Sequence, residues 1–298
     1  MLPGPLHLQK AILNYLKYME FVKSSSPLTL KAYRTDLTQA FGKIPADGVA
    51  AGKVLSEAET LTLIRSALNA WAPLSLSSRN RKAATLKSFF GWVYQERLSE
   101  RDLSSHIVCP KVPKKLPHFL SVDEALAVLS SFDAKDPSLH LLREKALFLL
   151  LYGGGLRVSE ACQLEWKNVH FQTRSLRLLG KGRKERVVIL PVTAMITLKQ
   201  LHDLQRDPFV FGGDESLNPR VAYDWIRTRG AKALLMKPLH PHALRHSFAT
   251  HLLSSGANLR TLQELLGHES LQATEKYTHL GVDQLARTLE SFHPLSKK

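Results

Sequence analysis

The segment from residue 109 to residue 119, CPKVPKKLPHF, constrains the fold of this chain more than any other. It holds three Pro and three Lys. Because proline lacks a backbone donor and has a fixed φ, a helix or a central strand does not run through such a segment. The composition predicts an extended linker, and 298 residues are enough for a separate core on each side of it. We therefore predict one domain at 1–108, the linker at 109–119 and a second domain at 120–298.

The charge of the chain narrows the choice of partners. It carries 41 Lys and Arg against 26 Asp and Glu, a net charge of +15. A field of that sign attracts polyanions, of which nucleic acid is the commonest, although a basic enzyme without such a partner is compatible with the charge alone. Residues 1–108 hold 14 basic and 8 acidic residues, and the remainder holds 27 and 18. Both domains are basic, as expected of two domains that grip one duplex.

The first domain has the apolar periodicity of helices, which we predict at about 8–23, 27–41, 58–71 and 78–97. It contains no group of residues suited to catalysis. The last of these helices begins with SSRNRK, a turn that is expected to present three cations to solvent: Arg79, Arg81 and Lys82. A solvated charged helix end is the simpler explanation, but the basic charge of the whole domain favours contact with phosphate. We predict that the first domain is an all-α DNA clamp.

The second domain mixes helices with a small sheet. Helices are predicted at 121–131, 139–152 and 192–206, and another begins at Asn218-Pro219. Between them the period changes to two, so Val169–Leu179 and Arg186–Leu190 are predicted as strands of a β-hairpin around GKGRKE. The glycine-rich turn GGGLRVSE at 153–160 lacks the spacing of a nucleotide-binding loop. The prediction is a mainly α protein with a small antiparallel sheet, in which an all-α domain precedes a mixed α+β domain.

Most of the reactive side chains lie in one stretch, residues 240–280. The first of three helices predicted there carries His242 and Arg245 on one face, because the two residues are three apart. His268 follows the second helix, and Tyr277 lies two turns into the third. The apolar residues of this stretch suffice for a small helical core, so the polar ones need another explanation.

These residue types are the parts that phosphodiester transfer needs in the absence of a metal. Guanidinium groups hold the non-bridging oxygens on which charge develops in the transition state. A hydroxyl attacks in line and stores the bond as a phosphoester, while other groups move protons. The candidates are Arg157 and Arg245 for charge, Tyr277 for attack, and His242, His268 and Lys181 for protons and hydrogen bonds.

Each candidate also has a simpler explanation when it is considered alone. Arg157 and Glu160 have the spacing of an ordinary i,i+3 surface pair. A tyrosine on a helix is usually a packing or surface residue. His242, His246 and His251 suggest a metal site, but HALRH lacks the glutamate of the zinc-protease helix motif. The histidines without an assigned role are expected to cap helices or to be satisfied polar residues.

Five separated segments together resemble the tyrosine recombinase (phage integrase) family, in its Xer branch. They are GGGLRVSE, GKGRKER, HPHALRHSFATHLL, LLGHESLQATEKYTHL and the closing HP with its basic tail. They occur in the order typical of the family, and the similarity covers essentially the whole chain. The resemblance implies an N-terminal core-binding (SAM-like) helical domain and a mixed α+β catalytic domain of the tyrosine recombinase type.

The resemblance also implies a role for six residues, which match the family's motif one by one: Arg157, Lys181, His242, Arg245, His268 and Tyr277. In that family the tyrosine forms a 3′-phosphotyrosyl bond with DNA and releases a 5′-hydroxyl, whose oxygen the lysine protonates. Strands are then exchanged through a Holliday junction without ATP or metal. Lys184, on the same turn, is the alternative to Lys181 as the acid.

The implied partners are a double-stranded DNA target site and further recombinase subunits. The active form would be a tetramer on DNA, made with itself or with a second Xer-type recombinase, that resolves chromosome dimers at a dif-like site. The sequence leaves open whether a DNA translocase is needed. Leu285, Leu289 and Phe292 form an apolar stripe on a short terminal helix, which covers its own domain or docks on the next protomer; a four-subunit complex favours docking in trans.

Three rival functions remain at this point. An integrase of a mobile element and a type IB topoisomerase-like enzyme would use the same chemistry, and the two-domain length speaks against the second. A DNA-binding protein without catalysis is the rival of another class, and an incomplete set of six residues would favour it.

Several features are expected to be absent. No cofactor and no metal are expected, and Cys109 and Cys162 have neither disulfide-framework nor metal-ligand spacing. No apolar run approaches the roughly 20 residues of a membrane span. The N-terminus lacks the layout of a signal peptide. We expect a cytoplasmic protein that acts on the nucleoid and has no membrane partner.

Overall fold

The computed structural model describes residues 6–42, 54–113, 119–132, 138–179, 185–266 and 279–296. The chain divides into two compact units, Met1–Lys115 and Leu116–Lys298. This division falls inside the segment predicted as a linker, and residues 109–113 have no helix or strand. Cys109 still packs against the core of the first unit, and the side-chain amide of Asn80 donates a hydrogen bond to Pro110 O at 2.7 Å.

The first unit is helical, as predicted. Its helices are α1 (Leu8–Phe21), α2 (Pro27–Phe41), α3 (Glu57–Ala70) and α4 (Leu76–Gln95), and two-residue strands β1 (Leu6–His7) and β2 (Val54–Leu55) pair antiparallel beside them. Serine side chains accept backbone N–H bonds at the starts of α2, α3 and α4, which satisfies donors that have no partner inside a helix. The capping serine of α4 is Ser75, so this helix begins earlier than predicted.

The expectation that Lys82 faces solvent is wrong. Lys82 lies on the apolar face of α4 and is buried, with its Nζ 2.8 Å from an oxygen of Asp36 on α2. Arg81 donates two hydrogen bonds to the same fully buried carboxylate, and Thr85 donates another at 3.0 Å. Burial opposes the ionisation of Asp36, but the bonds from Arg81 and Lys82 outweigh it and hold its pKa below the ordinary value. Lys82 therefore joins two helices instead of presenting a free cation.

The second unit combines helices with a three-stranded antiparallel sheet in the order β3-β4-β5. Its elements are α5 (Val122–Ser130), α6 (Leu139–Gly153), α7 (Val158–Cys162), β3 (Val169–His170), β4 (Ser175–Leu179), β5 (Glu185–Ile189), α8 (Val192–Leu204), α9 (Pro219–Lys232), α10 (Pro241–Ser254), α11 (Leu259–Leu266) and α12 (His279–Phe292). The single strand predicted at 169–179 is in fact two, because the chain turns at 171–174, where Arg174 has a φ of 50°. Helix α6 is the centre of the core, and its residues from Ala146 to Gly153 are all buried.

The apolar stripe of the terminal helix α12 covers its own unit. Leu285 and Leu289 are buried in the core of the second unit, and Phe292 packs against that core. Arg174 also pairs with Glu290, at 2.5 Å. In the isolated chain the two leucines of this stripe contact their own core. Docking on a second protomer, which the sequence favoured, stays a prediction. A stripe that reaches its own core can be buried without the entropic cost of association.

A chain of buried polar groups links the end of α12 to α6 and α10. The Tyr152 hydroxyl bonds to Nδ1 of His251 at 2.9 Å, and Nε2 of His251 bonds to Leu120 O at 2.8 Å. Nε2 of His293 bonds to Tyr152 O at 3.1 Å, while its Nδ1 accepts from Leu295 N–H at 3.1 Å. The last bond requires Nδ1 to carry no proton, so His293 is neutral and protonated on Nε2.

Acid should weaken the second unit through His293. Burial lowers the pKa of His293 to about 4 in the folded protein, against an ordinary value near 6.5. The unfolded chain therefore binds the extra proton first, and the stability is full above about pH 6.5 and falls as the pH drops toward 4, by about 3 kcal/mol in all. Urea unfolding at pH values between 7.5 and 4.5, monitored by hydrogen exchange of the backbone amides of α6, measures the loss of unfolding free energy. The His293→Asn variant keeps an acceptor for Leu295 N–H and should show a flatter pH dependence; an unchanged slope would contradict the assignment.

Two further properties concern only the residues that the structure describes. None of their helices is both long and apolar enough to cross a bilayer. None of their His, Cys, Asp and Glu side chains form a group of three or more that could hold a metal ion.

Candidate active site

The glycine-rich turn at 153–157 shapes the floor of the candidate site. Gly155 has a φ of +61°, and a Cβ added to it would lie 2.6 Å from the ring of Phe248. Only glycine fits both the left-handed backbone and this close approach. The turn leads directly into α7, whose N-cap is Arg157. The requirement for glycine here therefore places Arg157 beside α10, the helix that carries Phe248 and Arg245.

Glu160, one turn into α7, orients Arg157. Its Oε1 accepts from Arg157 Nη1 at 2.9 Å, and its Oε2 accepts from the Arg157 backbone N–H at 2.7 Å. The Arg157 side chain remains 47% exposed, whereas that of Glu160 is only 9% exposed. The pair is thus not an ordinary surface pair: a largely buried carboxylate holds one side of a guanidinium group whose other side faces solvent.

Arg245 reaches the same place from α10. Its Nη1 donates to Gly155 O, and its Nη2 donates to Leu266 O at 2.9 Å. The same Nη1 lies 4.0 Å from Oε2 of Glu160. The structure therefore brings the guanidinium groups of Arg157 and Arg245, which are far apart in the sequence, to one carboxylate.

A third guanidinium group, which is not among the predicted site residues, belongs to this cluster. Arg186 on β5 donates from Nη2 to Glu160 Oε2 at 2.8 Å and from Nη1 to Leu265 O at 3.0 Å. It is buried opposite Leu178 in the sheet. The signal was present: in ERVVI, the two-residue period puts Arg186 on the same face as the buried Val188, and a buried arginine requires partners.

The cluster carries an excess of positive charge. Three guanidinium groups surround one carboxylate. Burial opposes the ionisation of Glu160, but Arg186 and the bonds from Arg157 outweigh it and keep the pKa of that carboxyl below its ordinary value. Burial, followed by repulsion from Arg157 and Arg186, lowers the pKa of Arg245 to about 10. At neutral pH all three arginines stay charged, so a bound anion would relieve their mutual repulsion.

The remaining candidates are placed to different extents. His242 lies in the first turn of α10, with an exposed side chain. Lys181, its alternative Lys184, His268 and Tyr277 lie outside the residues that the structure describes. Segment 180–184 joins the paired ends of β4 and β5, and segment 267–278 begins directly after Leu266, whose carbonyl oxygen Arg245 binds.

Two of the histidines without an assigned role, His240 and His251, are a helix cap and a satisfied polar residue, as expected. His240 caps α10, since its Nδ1 accepts from Ala243 N–H at 3.1 Å. His251 belongs to the buried polar chain described above. His246 packs its ring edge against Phe119, with the ring centroids 5.9 Å apart.

Two family models match the chain. The phage integrase family matches residues 118–283, and the phage integrase N-terminal SAM-like domain matches residues 12–97. The first match alone spans more than half of the chain.

Individual proteins agree with the family models. A tyrosine recombinase XerC of Myxococcus xanthus is 35% identical over an alignment of 291 residues, which covers 93% of this chain and 95% of that protein. A tyrosine recombinase XerD of Staphylococcus aureus is 32% identical over an alignment of 299 residues, which covers 96% of this chain and 99% of that protein. The chain belongs to the phage integrase family, as an Xer-type tyrosine recombinase. Members of this family are DNA strand-exchange enzymes, and so is this chain.

The fold of the recombinase agrees with that of solved relatives. The XerH site-specific recombinase, in a pre-cleavage complex with its difH substrate, superposes with a TM-score of 0.63 at 21% identity and covers 95% of this chain and 82% of that one. The helical first unit and the mixed second unit therefore correspond to the SAM-like and catalytic domains of the family.

The cations predicted to bind DNA in the first unit of the recombinase differ in accessibility. Arg81 is 52% exposed along its side chain, although Asp36 holds its guanidinium group. Arg79 is half-buried in the first turn of α4, and Lys82 is buried. Only Arg79 and Arg81 keep surface that a phosphate could reach.

Proposed function

We propose that this recombinase cleaves and rejoins DNA strands through a 3′-phosphotyrosyl intermediate and a Holliday junction, and that it resolves chromosome dimers at a dif-like site. The identity of its relatives supports the second half, because XerC and XerD match over nearly the whole chain and XerH was solved with a difH substrate. The proposed place of action is the nucleoid, in the cytoplasm.

One observation carries the chemical half of the proposal. Arg157 and Arg245 come from separate parts of the chain and converge on Glu160, with charge in excess of that carboxylate. Paired guanidinium forks match the two non-bridging oxygens of a phosphodiester, and they act most strongly where water is largely excluded. The exposed face of Arg157 leaves room for such a phosphate beside the more buried Arg245.

The six residues take the following roles in this proposal. Arg157 and Arg245 hold the non-bridging oxygens of the scissile phosphate, His242 and His268 donate hydrogen bonds to it or move protons, Lys181 protonates the departing 5′-oxygen, and Tyr277 attacks. The tyrosyl oxygen forms a bond to phosphorus as the bond to the 5′-oxygen breaks. A 5′-hydroxyl from another strand reverses the step, so neither ATP nor a metal is consumed.

The first unit would hold the duplex. Residues 1–108 act as the clamp, 109–119 as the linker and 120–298 as the catalytic domain in this proposal. Arg79 and Arg81 contact backbone phosphates, while Lys82 acts indirectly by fixing Asp36. The complex on DNA would be a tetramer, with itself or with a second Xer-type recombinase, and a DNA translocase would act where dimer resolution requires it.

A recombination assay tests the biological half. A plasmid with two direct copies of the candidate dif-like site should be reduced to two circles by the protein, alone or with a second Xer-type recombinase from the same cell. Loss of the gene should leave chromosome dimers at division. If the preferred site instead lies at the ends of a mobile element, and the gene is dispensable for dimer resolution, the integrase alternative replaces this proposal.

The lysine of segment 180–184 is tested with a modified leaving group. Lys181→Ala should slow cleavage of ordinary DNA by about 10²-fold, since the 5′-oxygen then leaves without a proton donor. A substrate with a 5′-bridging sulfur needs no proton on departure, so it should restore the rate of this variant. Lys184→Ala is the matched control and should cleave ordinary DNA normally. If Lys184→Ala instead cleaves ordinary DNA slowly and is restored by the sulfur substrate, while Lys181→Ala cleaves normally, then Lys184 is the proton donor.

A further inference from the structure

The site of the recombinase contains a buried cation to which none of the six roles is assigned. The side chain of Arg186 is only 8% exposed. Moving a guanidinium group out of water is costly unless opposite charge and hydrogen bonds compensate for it. The contacts of Arg186 therefore indicate what it is buried to hold.

The two terminal nitrogens of Arg186 bind two different elements. Nη2 binds Glu160 on α7, the carboxylate that orients Arg157. Nη1 binds Leu265 O, and the next carbonyl, that of Leu266, accepts from Arg245. Two guanidinium groups thus bind consecutive carbonyls at the end of α11.

The end of α11 is a suitable target for such cations. The last carbonyls of a helix have no donor within it and carry partial negative charge, so cations bind there favourably. This end is also where the chain enters segment 267–278, which contains His268 and Tyr277. The planar fork of an arginine sets a fixed separation between its two partners, which the point charge of a lysine does not.

We propose that Arg186 is a positioning residue for strand cleavage, which holds Glu160 and the end of α11 at a fixed separation. By this means the orientation of Arg157 and the starting point of the segment that carries His268 and Tyr277 are set together. The inference rests on the proposed function, because that function places the scissile phosphate at this cluster and assigns the attack to Tyr277.

The first test compares cleavage with binding in the full-length protein. The variants are Arg186→Gln, Arg186→Lys and the control Arg177→Gln, which removes the same charge from an exposed position on the same sheet. Single-turnover formation of the covalent adduct is measured on a suicide duplex of the target site, beside the affinity for the intact site. We expect Arg186→Gln to cleave about 10²-fold more slowly, as for a displacement of about 1 Å in an active site. Arg186→Lys should be intermediate, Arg177→Gln should match the wild type, and all should bind the site normally.

The pH profile separates positioning from a general loss of structure. An opposite charge next to a carboxyl favours its ionised form, so removing Arg186 should raise the pKa of Glu160. In the pH–rate profile of cleavage, the fall in rate on the acid side (the acid limb) should therefore begin at higher pH in Arg186→Gln. It should begin at the wild-type pH in Arg186→Lys, which keeps the charge. Val188→Ala removes buried volume from the same strand without changing charge, so it should lower stability and leave the acid limb unmoved.

The outcomes are distinct. A wild-type rate in Arg186→Gln, or a slower rate with an unmoved acid limb as in Val188→Ala, overturns the inference. If Arg186→Gln does not fold, Arg186→Lys decides: a rate at least about tenfold below the wild type at normal affinity supports the inference, and a wild-type rate overturns it. If the wild-type protein and Arg177→Gln form no adduct, the proposed function itself fails, whatever Arg186 does.

Discussion

The Tyr277→Phe variant should form no covalent complex with DNA, although it should bind the target site as well as the wild type does. Only the hydroxyl oxygen can make the phosphoester bond, and the substitution removes no other atom of the side chain. We expect the trapped adduct on a suicide duplex to fall by at least about 10⁴-fold, because no other group replaces a lost nucleophile. Denaturing gels measure the adduct, and gel shifts measure binding.

Tyr223→Phe provides the matched control. Tyr223 lies on α9 with its ring beside the guanidinium group of Arg220, and it has no part in the proposed chemistry. Its variant should form the adduct at the normal rate. An adduct trapped in Tyr277→Phe would remove Tyr277 from the nucleophile position, and mapping the linked peptide would identify the residue that takes its place.

Arg245→Ala should lower the cleavage rate by about 3 kcal/mol of transition-state stabilisation, or about 10²-fold, with a smaller effect on site affinity. The expected size follows from burial: the Arg245 side chain is 15% exposed, so its charge acts where solvent screens little. Arg157→Ala should act in the same direction. Single-turnover cleavage at saturating protein separates this loss from weaker binding.

Arg245 also binds two backbone carbonyls, so its loss combines an electrostatic effect and a structural one. Arg245→Lys keeps the positive charge but loses the planar guanidinium group that binds both carbonyls. A cleavage rate between those of Arg245→Ala and the wild type would show how much of the loss is electrostatic and how much is structural. Arg220→Ala is the control for charge alone, since Arg220 is exposed and paired only with Asp224 on its own helix, as far as the described residues show. Normal cleavage in Arg245→Ala would exclude this residue from the site.

Much of the fold could be predicted because its signals are local. Ser26-Pro27, Ser121 with Glu124, and Asn218-Pro219 each mark a helix start, and each is a helix start in the structure. The spacing of apolar residues then predicts the buried faces. Local signals did not reveal the turn at 171–174, because Arg174 adopts a left-handed backbone that no glycine announces.

The errors concern residues whose environment is set by distant parts of the chain. Lys82 looks like a surface cation until Asp36, 46 residues earlier, is seen to need a partner. Arg186 looks like an ordinary first residue of a strand until Glu160 and Leu265 are brought to it. The stripe on α12 has the same spacing whether it covers its own core or a neighbour's, so the sequence alone does not show that it reaches its own core in the isolated chain.

Phe248 contacts both the glycine-rich turn of the site and His293, a residue that is translated near the end of the chain. Its ring lies against Gly155, whose carbonyl oxygen holds Arg245, and the ring centroid is 5.4 Å from that of His293. A ribosome makes residue 293 long after Gly155, so a nascent chain can expose the arginines before the packing behind them is complete. An enzyme that breaks DNA strands is safer if its incompletely translated form is inactive. The late arrival of His293 would delay the finished site until nearly all of the second unit has been translated.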